Sequence, residues 1–255
     1  MFPSFSVFWV TIYTFGLALS ISLGLFVWML YRLSIKFGIN TNFFLGNILF
    51  FFLSSFFFSR LFYIFAEWRD YKFIFQEGVF QFFFMSDYNF SLIGALFWFL
   101  LILYINIRKF KLSSNKYTDA VILSFFFAAT VGFLWGFFGW QICGAPTSLP
   151  IGVNYVNFAS NVCPFTSPVF PLAVFYSIAS FLLFCTLYIA RQFIQIEGFV
   201  GYMGILIFAC VFFIGEFFNG STDIVKSFIP LNLNQIGSIG LLAIGIRWII
   251  RLYRQ

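Results

Sequence analysis

Residues 199–218 read FVGYMGILIFACVFFIGEFF, and the length of that run decides the fold. It continues for 20 residues with a single charged side chain, Glu216. A helix rising about 1.5 Å per residue needs about 20 such residues to cross about 30 Å of hydrocarbon with every backbone group bonded internally. The run therefore reads as a membrane span. Six more stretches qualify, at roughly 7–31, 43–66, 90–107, 118–141, 168–190 and 235–250, divided by Gly, Asn, Pro or charged residues. The first, from Val7 to Tyr31, is too long for the apolar core of a signal peptide and has no basic leader. The expected fold class is all-α: residues 1–255 form one polytopic domain with seven transmembrane helices.

Composition agrees. Of 255 residues, 62% are hydrophobic, 25% aromatic and 9% charged, whereas soluble domains are about half apolar and about a quarter charged. That leaves no room for a sizeable water-soluble domain. The net charge of +6 raises the possibility of nucleic acid, but the cations sit at the ends of apolar runs, where the membrane interface accounts for them. Nucleic acid is set aside as a partner. There is no histidine, the commonest general base and metal ligand, and no metal or cofactor is expected.

Orientation follows from counting Lys and Arg across an alternating seven-span arrangement. Arg32, Lys36, Arg108, Lys109, Lys111, Lys116, Arg191, Arg247, Arg251 and Arg254 fall on one side, and Arg60, Arg69, Lys72 and Lys226 on the other. Ten against four predicts an outside N-terminus and a cytoplasmic C-terminus. The longest outside loop, 142–167, holds Cys143 and Cys163 on a face where disulfides persist. They read either as a bridge or as two unpaired small residues in a polar loop. Cys185 and Cys210 lie inside spans and read as packing residues.

Polar side chains at membrane depth each cost a few kcal/mol (about 2.5–3.5 for a charge on insertion scales), so they mark where function is to be sought. Arg60 lies in the outer half of the second span, with Tyr63 one turn on, and Glu216 near the outer end of the sixth among Phe212, Phe213, Phe217 and Phe218. At equal depth, Arg60 and Glu216 would pair or share an anionic ligand, since a guanidinium fork suits phosphate. The alternative is a structural ion pair or snorkelling side chains. Ser86, Asp87, Tyr88 and Asn89 form a polar rim before the third span, or supply its N-cap; Asp119 reads as an N-cap of the fourth. That fourth span ends in glycines, tryptophans and Gln141, the pattern of a closely packed helix with an aromatic girdle.

The order of these features resembles the bacterial phosphatidylglycerol–prolipoprotein diacylglyceryl transferases, seven-span enzymes of the cytoplasmic membrane. Phe15-Gly16-Leu17 looks like the family's Tyr-Gly-Leu, and Ser59-Arg60-Leu61-Phe62-Tyr63 like its Gly-Arg-Leu-Gly-Tyr. Met85-Ser86 through Leu92-Ile93-Gly94 is similar to Gly-Gly-Met-Ser-Phe-His-Gly-Gly-Leu-Ile-Gly, with one residue inserted. From Asp119 the match continues without a gap to Gly144-Ala145-Pro146-Thr147, similar to Gly-Arg-Pro-Thr. Phe170-Pro171 through Tyr176 resembles His-Pro-Ser-Gln-Leu-Tyr-Glu, Phe213 to Phe218 resembles Phe-Ile-Val-Glu-Phe-Phe, and Asn234-Gln235-Ile236 resembles Gly-Gln-Ile.

The departures fall on residues to which the family's chemistry is attributed. Phe15 stands for the tyrosine and Asn89 for the histidine. In the signature Gly-Arg-x-Gly-Asn-Phe-x-Asn-Gly-Glu, Phe133 replaces the arginine, Gly136 and Gly139 the asparagines, and Gln141 the glutamate. Phe212 replaces the arginine of the sixth span, while Glu216 keeps its glutamate.

The resemblance implies transfer of a diacylglyceryl group from phosphatidylglycerol to the lipobox cysteine thiol of prolipoproteins, at the lipid bilayer. It implies Arg60 on phosphate and Glu216 as base for the thiol, with Tyr63, Ser86, Asp87, Asn89, Gln141, Gly144 and Gln235 binding substrate. A catalytically inactive relative that binds phospholipid or signal peptides is the alternative, favoured by the missing histidine and arginines. A transporter or channel would show polar residues recurring along facing helices or paired broken repeats, and the sequence shows neither.

Overall fold

The computed structural model describes residues 4–7, 10–66, 90–139, 142–154, 165–220 and 231–254. Among these, seven helices are long and apolar enough to cross a membrane, as expected, and the chain is a multi-pass membrane protein. They are α1 Thr14–Lys36, α2 Thr41–Ala66, α3 Leu92–Lys109, α4 Ser114–Phe138, α5 Leu172–Phe193, α6 Phe199–Gly215 and α7 Leu233–Tyr253. One part of the first expected span is not helical. A short antiparallel hairpin, β1 Ser4–Val7 with β2 Val10–Tyr13, pairs Ser4 with Tyr13 and Val7 with Val10, and α1 begins only at Thr14. The β-branched run Val10-Thr11-Ile12 favours extended backbone, so hydrophobicity alone places the helix start too early.

The chain divides into two compact units. The first comprises Met1–Ile39, Asn115–Ser221 and Gly245–Gln255. Its central helix is α4, buried continuously from Tyr117 to Ser124. Helix α6 lies close to it because Gly201 and Gly204 have no side chain. A Cβ on Gly201 would stand 2.8 Å from the Thr118 carbonyl carbon, and one on Gly204 2.6 Å from Ile122. In lipid, where apolar surface gains little by pairing with apolar surface, such backbone approach and interhelical hydrogen bonds hold helices together. Further along the same faces rings replace glycines: Phe208 lies edge-on to Phe125 at 5.2 Å and against Phe126 at 5.9 Å. Helix α5 is tied to α4 by the Ser177 hydroxyl, which donates to the Thr130 carbonyl at 2.7 Å.

The start of α6 is held by a side chain from α4. Asp119, fully buried, accepts from the amides of Gly198 at 2.9 Å and Gly201 at 2.6 Å. Its Oδ2 also faces the Arg191 guanidinium at 3.4 Å. Gly198 has φ +88, a left-handed conformation in which a side chain would be strained. The expectation that Asp119 caps its own helix is therefore corrected: it lies inside α4 and caps α6. The physical demand, a carboxylate on orphan amides at the positive end of a helix dipole, is the one anticipated.

The second unit comprises Asn40–Ser114 and Thr222–Ile244. Here α2 and α3 interlock through Phe51 on Phe99 at 5.3 Å and Phe58 stacked on Trp98 at 3.4 Å. Phe62 lies over Gly94, where a Cβ would come within 2.5 Å of it. Residues 233–244 of α7 belong here too, with Gly237 accommodating Ile93 of α3.

Candidate functional site

In the second unit, Arg60 is 4% exposed, and its guanidinium carbon lies 5.7 Å from the Tyr63 ring centroid and 5.8 Å from that of Phe90. Each ring face attracts the cation by its quadrupole and offsets part of its dehydration. Beside it, Ser59 donates to the Ser91 carbonyl at 2.7 Å. The Ser91 hydroxyl accepts from the Gly94 amide at 3.2 Å, capping α3, and donates to Asn234 Oδ1 at 3.3 Å. Phe90, Ser91 and Asn234 all stand where the resembled motifs carry glycine. The larger residues thus add a ring over the guanidinium and a hydrogen bond between the starts of α3 and α7.

Gln235, expected on substrate, is 3% exposed and works as part of a cap. Its amide oxygen accepts from the Asn232 amide at 2.9 Å, while its own amide donates to Asn232 Oδ1 at 2.7 Å. This reciprocal pair is a capping box at the start of α7.

The first unit carries Glu216, in a short 3-10 turn at the end of α6 and 4% exposed. Burying an isolated carboxylate is strongly unfavourable unless donors meet it. The Asn219 side-chain amide donates to Oε2 at 3.0 Å, and the phenol of Tyr176, on α5, is hydrogen-bonded to the same carboxylate. Gly215 lets the phenol reach it, since a Cβ there would collide with Tyr176. The Tyr176 ring is stacked on Phe212 at 4.9 Å and 13°, and lies 5.1 Å from Phe133.

That stack gathers three departures from the family pattern into one place. Counting the seven residues from Phe170 to Tyr176 against His-Pro-Ser-Gln-Leu-Tyr-Glu puts Tyr176 at the glutamate, beside the two replaced arginines at Phe133 and Phe212. Where the resembled motifs carry two cations and an anion, this chain carries three rings. Replacing a buried ionic cluster by well-packed apolar groups is often neutral or stabilising, which makes the joint change physically consistent.

Gly144 is a backbone junction between two neighbouring strands of loop. It bridges to Asn219, flanked by Gly220 N to Cys143 O at 2.9 Å and Ala145 N to Phe218 O at 2.6 Å. On the other side Phe170 N donates to Ala145 O at 2.9 Å, and a Cβ on Gly144 would overlap the Phe170 carbonyl. The segment that holds Asn219 beneath Glu216 is thus stapled to the loop that carries Cys143. Cys143 is disulfide-bonded, and Cys185 and Cys210 are free. Its expected partner Cys163 lies outside the described residues, as do Ser86, Asp87, Asn89 and Gln141.

Arg60 and Tyr63 therefore come together in one unit, and Glu216 and Gly144 in the other. Sequence reading missed Tyr176 and Asn219 as partners of Glu216. Asn219, three residues on, was within reach by spacing alone. No local signal joins Tyr176 to a residue 40 positions away.

No curated protein matches the chain. The family described as prolipoprotein diacylglyceryl transferase matches residues 4–251, nearly the whole length, and the chain belongs to that family.

Proposed function

We propose that this chain is a divergent prolipoprotein diacylglyceryl transferase of the bacterial cytoplasmic membrane, with its N-terminus outside and its C-terminus in the cytoplasm. Its substrates are phosphatidylglycerol and the lipobox cysteine of prolipoproteins. The thiol sulfur attacks the glycerol carbon that bears the phosphate ester. The carbon–sulfur bond forms as the carbon–oxygen bond breaks, and glycerol phosphate leaves with the electron pair. In this reading Glu216 takes the thiol proton and Arg60, its ring contacts holding the guanidinium, supports the departing phosphate. Tyr63, Ser86, Asp87, Asn89, Gln141, Gly144 and Gln235 are the supporting groups.

The observation that carries this reading is the retention of Glu216. The Tyr176 ring beside it packs with Phe133 and Phe212, three rings where the resembled motifs carry charges, yet Glu216 remains, buried and held by two neutral donors. A carboxylate at membrane depth costs desolvation that its donors only partly offset, so its presence there marks a functional group. Turnover should be slow, because each lost phosphate donor raises the barrier by about 2.7–4 kcal/mol, a hundredfold or more.

The ring stack itself favours the second reading, an inactive relative that binds phospholipid or signal peptides. Complementation separates the two. Cells depleted of their own transferase should recover a lipidated reporter, followed by mass, when they express this chain, and lose it again with Arg60→Ala or Glu216→Ala. A chain that reaches the membrane and yields no lipidated reporter would favour the binding relative.

A further inference from the structure

We propose that the exposed face Arg247–Arg251–Arg254 at the end of α7 is a docking surface for anionic phospholipid head groups on the cytoplasmic leaflet. These residues recur at i, i+4 and i+7, so they line one stripe of the helix, and all are exposed. The opposite face packs inward: Trp248 meets Tyr202 at 5.3 Å, and Gly245 lies against Leu206. Beside the arginine stripe runs an apolar one, Ile246, Ile250 and Tyr253, with exposures of 51%, 47% and 70%. An arginine stripe next to an exposed apolar stripe is the pattern of a helix end at an anionic membrane surface.

Charge complementarity fixes the occupant. Among the described residues the carboxylates are Asp119, Glu197 and Glu216. Asp119 faces Arg191, and Glu197 pairs with Lys116 at 3.2 Å. No ion pair or side-chain hydrogen bond with a described residue engages the three guanidinium groups of this stripe. Position fixes the leaflet. Tyr202, which Trp248 touches, lies in the first turns of α6, while the disulfide-bonded Cys143 is joined to Gly220 just beyond the other end of that helix. Disulfides persist on the non-cytoplasmic side, so the arginine end faces the cytoplasm.

The test does not depend on transferase activity. Purified full-length chain in neutral detergent is titrated with phosphatidylserine, phosphatidylcholine or inorganic phosphate, and its melting temperature is followed. Phosphatidylserine should raise the midpoint of the native chain and phosphatidylcholine should not. An arginine near an anionic surface is worth about fivefold in affinity, so the triple variant R247Q/R251Q/R254Q should need about a hundredfold more lipid, and the triple Lys variant nearly none. A triple Gln variant that responds like the native chain would overturn the proposal. So would an equal response to phosphatidylcholine, or one reproduced by inorganic phosphate alone. Should the triple variant not fold, Arg254→Gln, beyond the last helical residue, is expected to weaken the response about fivefold, and no weakening overturns the proposal. A second copy as occupant would appear as a variant-sensitive doubling of mass without the lipid response, and that result too would overturn it.

Discussion

Tyr176 occupies two environments at once: its ring is fixed between Phe133 and Phe212, and its hydroxyl meets the Glu216 carboxylate. Tyr176→Phe keeps the ring and removes the donor. It should lower the unfolding free energy by about 1.5–3 kcal/mol, the range for a hydrogen bond to a charged group, read from chemical denaturation in detergent. Unchanged stability would mean that the carboxylate's other partners, Asn219 among them, suffice. Tyr176→Glu alone should be far worse, since it buries a second carboxylate beside the first. Adding Phe133→Arg and Phe212→Arg should recover most of that loss, because the three positions act as one cluster. Read singly from the sequence, Phe133 and Phe212 were legible only as losses of two family arginines. Their joint replacement with Tyr176 was not, because residues 133, 176 and 212 lie on three helices and no periodicity links them.

At the scale of the helices, existence was legible and termini were not. Seven spans follow from apolar length, but where a helix begins depends on which group satisfies its first amides, and that group is often remote. Asp119, on α4, serves α6; Ser91 serves α3 while also meeting Asn234 at the start of α7. The capping box of α7 was concealed in the sequence by a family motif that reads as a binding site. Asn232→Ala and Gln235→Ala should each lower stability by about 1 kcal/mol, and the pair by less than the sum, since both belong to one cap. A Gln235→Ala chain of native stability but lower activity would show that the residue serves substrate rather than the cap.

Across the whole molecule, the sequence asymmetry of cations becomes a physical polarity of the first unit. Cys143 is in a disulfide near one end of α6, and Lys116, Arg191 and the arginines of α7 gather near the other. Alkylation of the denatured, unreduced chain should add mass at Cys185 and Cys210 only, and after reduction at all four cysteines. Four adducts before reduction would remove the staple beside Gly144 and with it the structural basis for the orientation. The Asp119 cap carries a consequence for biosynthesis. The amide of Gly201 lies 82 residues downstream of the carboxylate it satisfies. At roughly 5–20 residues per second, the ribosome delivers that donor about 4 to 16 seconds after Asp119 itself. For most of that interval the fourth helix carries a carboxylate with no amide to receive it, and the pairing is completed only when the sixth helix arrives, late in translation.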